Sequence, residues 1–365
     1  MLEVAEIFRL HGPEYRAKFG ERMLPAHRRA MQDIEQCRTA VRGGQLYWCL
    51  QCQEQRYSYH SCKNRHCPKC GNEQAHQWLA MQQSLLLPIN YFLVTFTLPE
   101  ELRALARSNQ KLIYHLLFRA SSAALLKLAQ DPRFVGGRVG LLGLLHTWTR
   151  QLIYHPHIHY IVSGGGLTAA GSWRASGAHF LLPEKPLAMI FRAKLRDELK
   201  NGGLCPQMDQ HLWKKDWVVD CKPVGTGSAA FKYLAPYIFR VALSNKRLVS
   251  LADGQVTFHY KESATHQIKS CTLPAEEFIR RLLQHILPDR FVKVRYYGLL
   301  SPRHRHLLVQ ARQLLAANGK QPPTGNHGQS TIPNQQLTIR EPLRCPHCGN
   351  PLTLLGPFNP RGRSP

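Results

Sequence analysis

Acidic side chains are scarce in this 365-residue chain: 23 Asp and Glu stand against 48 Lys and Arg, a formal charge of +25. That imbalance excludes an acidic or charge-neutral surface. It sets up a positive field whose commonest polyanionic partner is nucleic acid, with an anionic membrane surface as the alternative. Long apolar runs are also missing. No run approaches the roughly 18 consecutive apolar residues that a membrane span requires, because even Leu141–Leu145 is soon followed by His146 and Arg150. Met1–Gly20 alternates charged and apolar residues and lacks the apolar core of a secretion signal, so the expectation is a cytoplasmic protein with no membrane partner, associated with the nucleoid when acting.

Apolar mass itself is ample, at 44% of residues, enough for at least one sizeable core in two or three domains. The 11 cysteines are an odd number, and eight of them lie in CxxC pairs or between Cys37 and Cys70. In a reducing compartment such clustering points to metal binding before disulfides.

Four segments are expected. Residues 1–85 open with helical periodicity and become a Cys/His-dense, Gly-punctuated module. Residues 86–270 mix strands and helices without strict βαβ alternation, which favours an α+β domain around an antiparallel sheet. The strand Tyr91–Leu98 leads into helix through Leu128. Leu141–Trp148 and His157–Ser163 read as a hairpin turning near His155 and Pro156 and ended by Gly164, Gly165 and Gly166. Asp253-Gly254 marks a second hairpin. Residues 271–318 form a basic extension. Residues 319–365, poor in apolar side chains, read as a flexible tail carrying the Cys345–Cys348 pair.

Cys49-x-x-Cys52 and Cys67-x-x-Cys70 have the spacing at which two turns bring four thiolates around one zinc ion. The segment has little apolar mass, so the metal should supply much of its folding energy. Cys37, His60, Cys62 and His66 are four further candidates: either they hold a second zinc, or the two histidines are surface groups that touch phosphate. Arg56, Lys63, Arg65 and Lys69, interleaved with Tyr57 and Tyr59, suit DNA backbone and exposed bases. Cys345 and Cys348 make only half a site, with partners elsewhere in the chain or in another chain.

On a strand, residues i and i+2 share a face, so His157 and His159 project together for one metal ion while Ile158 enters the core. By spacing that ion is zinc or a harder cation. In Phe231-Lys-Tyr-Leu-Ala-Pro-Tyr237, helical spacing places Tyr233 and Tyr237 one turn apart on one face, with Pro236 kinking the axis between them. Two packed core tyrosines are the alternative.

His157-Ile158-His159 matches the His-hydrophobic-His motif of the HUH endonucleases. The longer string from His146 through His155-Pro-His-Ile-His-Tyr-Ile-Val-Ser-Gly-Gly-Gly166 resembles the insertion-sequence-ninety-one family. Tyr233-Leu-Ala-Pro-Tyr237, followed by Arg240 and Ser244-Asn245, is similar to that family's tyrosine motif, and the cysteine module through Asn64-Arg-His-Cys-Pro-Lys-Cys-Gly71 to its N-terminal zinc-binding domain. The likeness covers about residues 30–310 and implies an RRM/ferredoxin-like HUH core behind a zinc module. It also implies a rolling-circle transposase that acts on single-stranded DNA at element ends and on target DNA. Tyr233 and Tyr237 would attack, leaving a 5′-phosphotyrosine; Arg240 would contact DNA; Zn2+ would be structural and Mg2+ or Mn2+ catalytic. The third ligand would be His146, with Gln151 behind it. A plasmid replication initiator and a non-catalytic zinc-finger DNA-binding protein are the rival expectations.

Overall fold

The computed structural model describes residues 1–70, 85–204, 210–226, 241–262, 264–317, 319 and 343–359. Helix Val4–Phe19 starts at a capping box in which Glu6 receives the Glu3 N–H at 2.8 Å, and helix Pro25–Gln36 begins on a proline whose missing N–H costs nothing there. Strands β1 (Gly44–Cys49) and β2 (Glu54–Tyr59) follow as a hairpin.

The central sheet contains β3 (Asn90–Thr97), β4 (Arg138–Trp148), β5 (Tyr154–Leu167), β6 (Trp173–Ala175) and β7 (Val219–Thr226). A separate meander, β8 (Leu248–Ala252), β9 (Gln255–Lys261) and β10 (Ile268–Pro274), precedes β11 (Val294–Gly298), which returns to the central sheet. The central order is β11-β4-β5-β3-β7 with β6 on β5, and every pairing is antiparallel. This is the mixed, antiparallel architecture expected from the element pattern.

Alternation along the strands divides the sheet's faces. Phe92, Val94 and Phe96 of β3, with Ile158, Tyr160 and Val162 of β5, pack on helices Gln110–Ala129 and Glu184–Asn201. Tyr91, Leu93, Leu142, Leu144 and Ile161 face the other way, toward helix Arg305–Ala317. Gln110–Ala129 is long and apolar enough to cross a membrane, but two thirds of it is buried within the fold, where it is the central helix of the core.

Two local expectations differ. The β4–β5 turn spans residues 149–153, with Leu152 at φ 61°, and His155 and Pro156 lie within β5. Pro156 cannot donate to the ladder, and it sits beside the register shift between His146 and Trp148, the kind of irregular site that tolerates proline. Gly164–Gly166 do not end β5. A Cβ on Gly164 would come 2.6 Å from the Asn90 carbonyl oxygen, so glycine here permits close strand approach. Asp253 and Gly254 both have positive φ, as the hairpin signal requires.

A third core joins parts distant in sequence. Helices Val4–Phe19 and Pro25–Gln36 pack with the β8–β10 meander, helix Ala275–Leu283, Leu152, Cys67 and Cys70. At the other end of the chain, β12 (Thr353–Phe358) pairs antiparallel with β1, giving a β12-β1-β2 sheet. Of residues 319–365, read as a flexible tail, 320–342 and 360–365 lie outside the described residues; residues 343–359 form a turn and strand against the N-terminal module.

Candidate functional site

The β4–β5 hairpin carries the histidines. His146 stands opposite His157, and His159 opposite Leu144, so all three imidazoles share the face of Leu142 and Ile161. Ring centroids are 5.6 Å apart for His146 and His157, 5.1 Å for His146 and His159, and 4.7 Å for His157 and His159. One ligand atom from each ring lies within 4.8 Å of the others. No carboxylate belongs to the group among the described residues.

Neighbours orient the rings. His157 donates from Nδ1 to its near neighbour, the His155 carbonyl, at 2.7 Å, which puts the ring's lone pair on Nε2. Burial pushes the His157 pKa down to about 4, so the ring is neutral at physiological pH. His159 Nδ1 lies 3.0 Å from the Thr95 hydroxyl of β3. Trp148 stacks on His146 at 4.6 Å and helps bury it. Thr95 and Trp148 escaped the sequence reading. The β3 alternation shows which side Thr95 faces, but only the β3–β5 register puts it beside His159. Gln151 sits in the turn beyond the strand ends, with its backbone carbonyl 3.5 Å from Arg281. Tyr233, Tyr237 and Arg240 lie outside the described residues.

Among the described residues eight cysteines fall into two groups of four, not the single Cys49–Cys52–Cys67–Cys70 set expected from spacing. Cys67 and Cys70 gather with Cys37 and Cys62, while Cys49 and Cys52 meet Cys345 and Cys348. The reason is the β-hairpin. It carries the Cys49–Cys52 turn to its far tip, whereas Cys37 and Cys62 flank its open end, where the His60 carbonyl receives the Arg38 N–H.

In the first group Cys37 Sγ is 3.5 Å and Cys62 Sγ 3.6 Å from Cys70 Sγ. Backbone N–H groups of Cys62 and Asn64 point at Cys37 Sγ and Cys62 Sγ, each at 3.5 Å, as suits thiolates. Four thiols this close share protons unevenly. The Cys67 thiol holds Cys62 down at about 5, and the same pairing drives Cys67 far up. A dication resolves that conflict by ionising all four, and the donor set fits zinc.

His60 and His66 join neither group. His60 is exposed; His66 accepts the Leu287 N–H at 3.2 Å, and burial drives its pKa well below the usual histidine value. Of the cysteine module's four cations expected on DNA, three have partners within the chain. Arg65 donates to the Phe291 and Pro288 carbonyls, Lys69 pairs with Glu3 at 2.6 Å, and Arg56 pairs with Glu54. Lys63 is exposed, on a groove it shares with Arg38, Arg42 and Tyr47.

A basic α/β protein with an antiparallel sheet, a three-imidazole cluster and thiol groups suited to zinc is the class that fold and site define. The family model described as "Transposase zinc-binding domain" matches residues 7–98, and that described as "Putative transposase" matches residues 140–307. "Putative transposase y4qJ" of Sinorhizobium fredii is 39% identical over 369 residues, covering 95% of this chain and 92% of the relative. "Transposase for insertion sequence element IS801" of Pseudomonas savastanoi pv. phaseolicola is 29% identical over 284 residues, 73% of this chain and 68% of the relative. The chain belongs to the insertion-sequence-ninety-one family of transposases. A metal-free structure of the conjugative relaxase TrwC with OriT DNA covers 62% of this chain and 71% of its own at 13% identity, with a TM-score of 0.24, too low to bear on the fold.

Proposed function

We propose that this transposase cuts single-stranded DNA at element ends and joins it to target DNA through a 5′-phosphotyrosine, with Tyr233 and Tyr237 as nucleophiles and His146, His157 and His159 as ligands of a catalytic cation. The observation that carries the reading is the three-imidazole cluster on one sheet face in a basic transposase. The core would then be of the HUH type. An imidazole kept neutral by burial and held by a backbone carbonyl, as His157 is, suits a divalent ion, and the absence of a carboxylate from the group among the described residues would leave the ion's charge undiminished. Bound there, the ion would polarise the scissile phosphate and neutralise charge as the phosphorane forms. Imidazole ligands favour Mn2+ over the harder Mg2+.

In this chemistry the tyrosine loses its phenolic proton and its oxygen bonds to phosphorus. The P–O3′ bond breaks, its electron pair stays on O3′, and a proton completes the 3′ hydroxyl. One phosphodiester replaces another, so no nucleotide cofactor is required; a new 3′ hydroxyl reverses the step on the joined strand. Two tyrosines allow two ends to be held in turn.

The test incubates the purified chain with single-stranded DNA carrying the element end, with and without Mn2+ or Mg2+, and maps covalent peptide-DNA adducts by mass spectrometry. A metal-dependent 5′ adduct on Tyr233 or Tyr237 supports the reading. DNA bound but left intact, in every metal, would return the tyrosines to core packing and leave a zinc-dependent DNA-binding role.

A further inference from the structure

Cys345 and Cys348 lie outside both matched family regions, and no part of the proposed cleavage chemistry uses them. They occupy a turn of the same design as the one they face. At the β1–β2 tip the Gln53 N–H donates to the Cys49 carbonyl at 2.9 Å, and Gln53, next after Cys52, has φ 53°. At the C-terminal turn the Gly349 N–H donates to the Cys345 carbonyl at 2.9 Å, and Gly349, next after Cys348, has φ 75°. Each pair is thus a Cys-x-x-Cys knuckle closed by a left-handed residue, the turn that points two sulfurs the same way.

The knuckles are set face to face. Cys49 Sγ is 3.5 Å from Cys348 Sγ, Cys52 Sγ is 3.9 Å from Cys345 Sγ, and all four sulfurs lie within 4.8 Å of one another. Sulfurs at the corners of a zinc tetrahedron, with Zn–S bonds of about 2.3 Å, are separated by roughly 3.8 Å. The Cys52 N–H donates to Cys49 Sγ at 3.4 Å, and the Arg56 guanidinium abuts Cys345. A tetrathiolate zinc site carries net negative charge, and these donors offset it.

We infer that Cys49, Cys52, Cys345 and Cys348 form a second structural zinc site, which clasps the C-terminal tail to the N-terminal module. Packing alone gives the tail little hold. Leu343, Leu354 and Leu355 are about half exposed, and β12 touches the module through its ladder with β1 and the Phe358 ring against Tyr57 and Tyr59. Yet Cys49 and Cys345 are buried, at 0% and 2% exposure. The clasp explains why thiols are buried at two turns that have no apolar core of their own. It also makes the zinc module a composite of both ends of the chain.

The experiment titrates Co2+ into the reduced, metal-free full-length chain and follows the thiolate-to-cobalt charge-transfer band, which a histidine-only site does not produce. Wild type should saturate at two equivalents; C345S/C348S and C37S/C62S should each saturate at one. Saturation of wild type at one equivalent would overturn the site without recourse to any variant, as would two equivalents in C345S/C348S. Intact-mass measurement of the unreduced chain adds a second check. Loss of two hydrogens for a Cys49–Cys348 or Cys52–Cys345 disulfide would replace the zinc reading with a redox staple. None of these outcomes depends on whether the histidine site cleaves DNA.

Discussion

His146 of β4 stands directly opposite His157 of β5, eleven residues apart in sequence and in register across the hairpin, with ring centroids 5.6 Å apart. The pairing brings a histidine outside the His157–His159 motif into the same cluster. Replacing any of His146, His157 or His159 by Ala should lower metal-dependent cleavage by more than about 100-fold while leaving DNA binding near wild type, since the +25 charge remains. Parallel gel-shift and cleavage assays on one single-stranded substrate check this. Full cleavage by His146→Ala would remove it from the ligand set.

Thr95 is placed to act on the proposed metal site through His159. Thr95→Val keeps the strand and its β-branched shape but takes away the hydroxyl at 3.0 Å from Nδ1. Affinity for Mn2+ should fall by about 10- to 100-fold, and excess metal should restore cleavage. Calorimetric titration of Mn2+ gives the affinity directly.

The first thiol group should hold the N-terminal module together. Cys67→Ser leaves three ligands among residues that pack into the same core as helices Val4–Phe19 and Pro25–Gln36. Limited proteolysis should then cut within residues 1–70 at protease levels that spare wild type, and a strong chelator should have the same effect on wild type.

His285 supplies an acid-sensitive element. It is 1% exposed; Nε2 donates to the Leu152 carbonyl at 3.2 Å, and the Thr147 hydroxyl lies 3.3 Å from Nδ1. Burial lowers its pKa to about 4, below the unfolded value of about 6.5. Between those values the unfolded chain binds the proton and the folded chain does not, so stability falls as pH drops from 6.5 toward 4, by about 3 kcal/mol in all. His285→Gln should flatten that part of the profile of thermal midpoint against pH.

Gly298 closes β11 at φ 59°, where an added Cβ would lie 1.9 Å from the Val139 carbonyl oxygen. Gly298→Ala combines a strained backbone with a clash against a strand that cannot move, and should cost more than about 1 kcal/mol. A lowered urea midpoint with unchanged slope is the expected result.

Local chemistry made much of this protein legible in its sequence. Period-two alternation in Tyr91–Thr97 and His157–Ser163 specified strands and the face each residue takes, because side-chain direction on a strand is a property of the backbone alone. Asp253-Gly254 announced its turn because few residue pairs accept positive φ. The histidine motif and the cysteine module, both short and continuous, marked the family, and the surplus of cations marked a nucleic-acid partner. Tertiary structure decided the rest wherever residues far apart had to meet. Spacing counted two CxxC pairs as one site, but a β-hairpin separates its ends from its tip, so Cys67–Cys70 found Cys37 and Cys62 while Cys49–Cys52 found a pair almost 300 residues on. Arg65 and Lys69 look like DNA contacts in the sequence; the folded chain gives them a backbone turn and a carboxylate. Which residues share a face is written locally, but which faces meet depends on strand register and on the packing of distant segments, and that is set only when the whole chain folds.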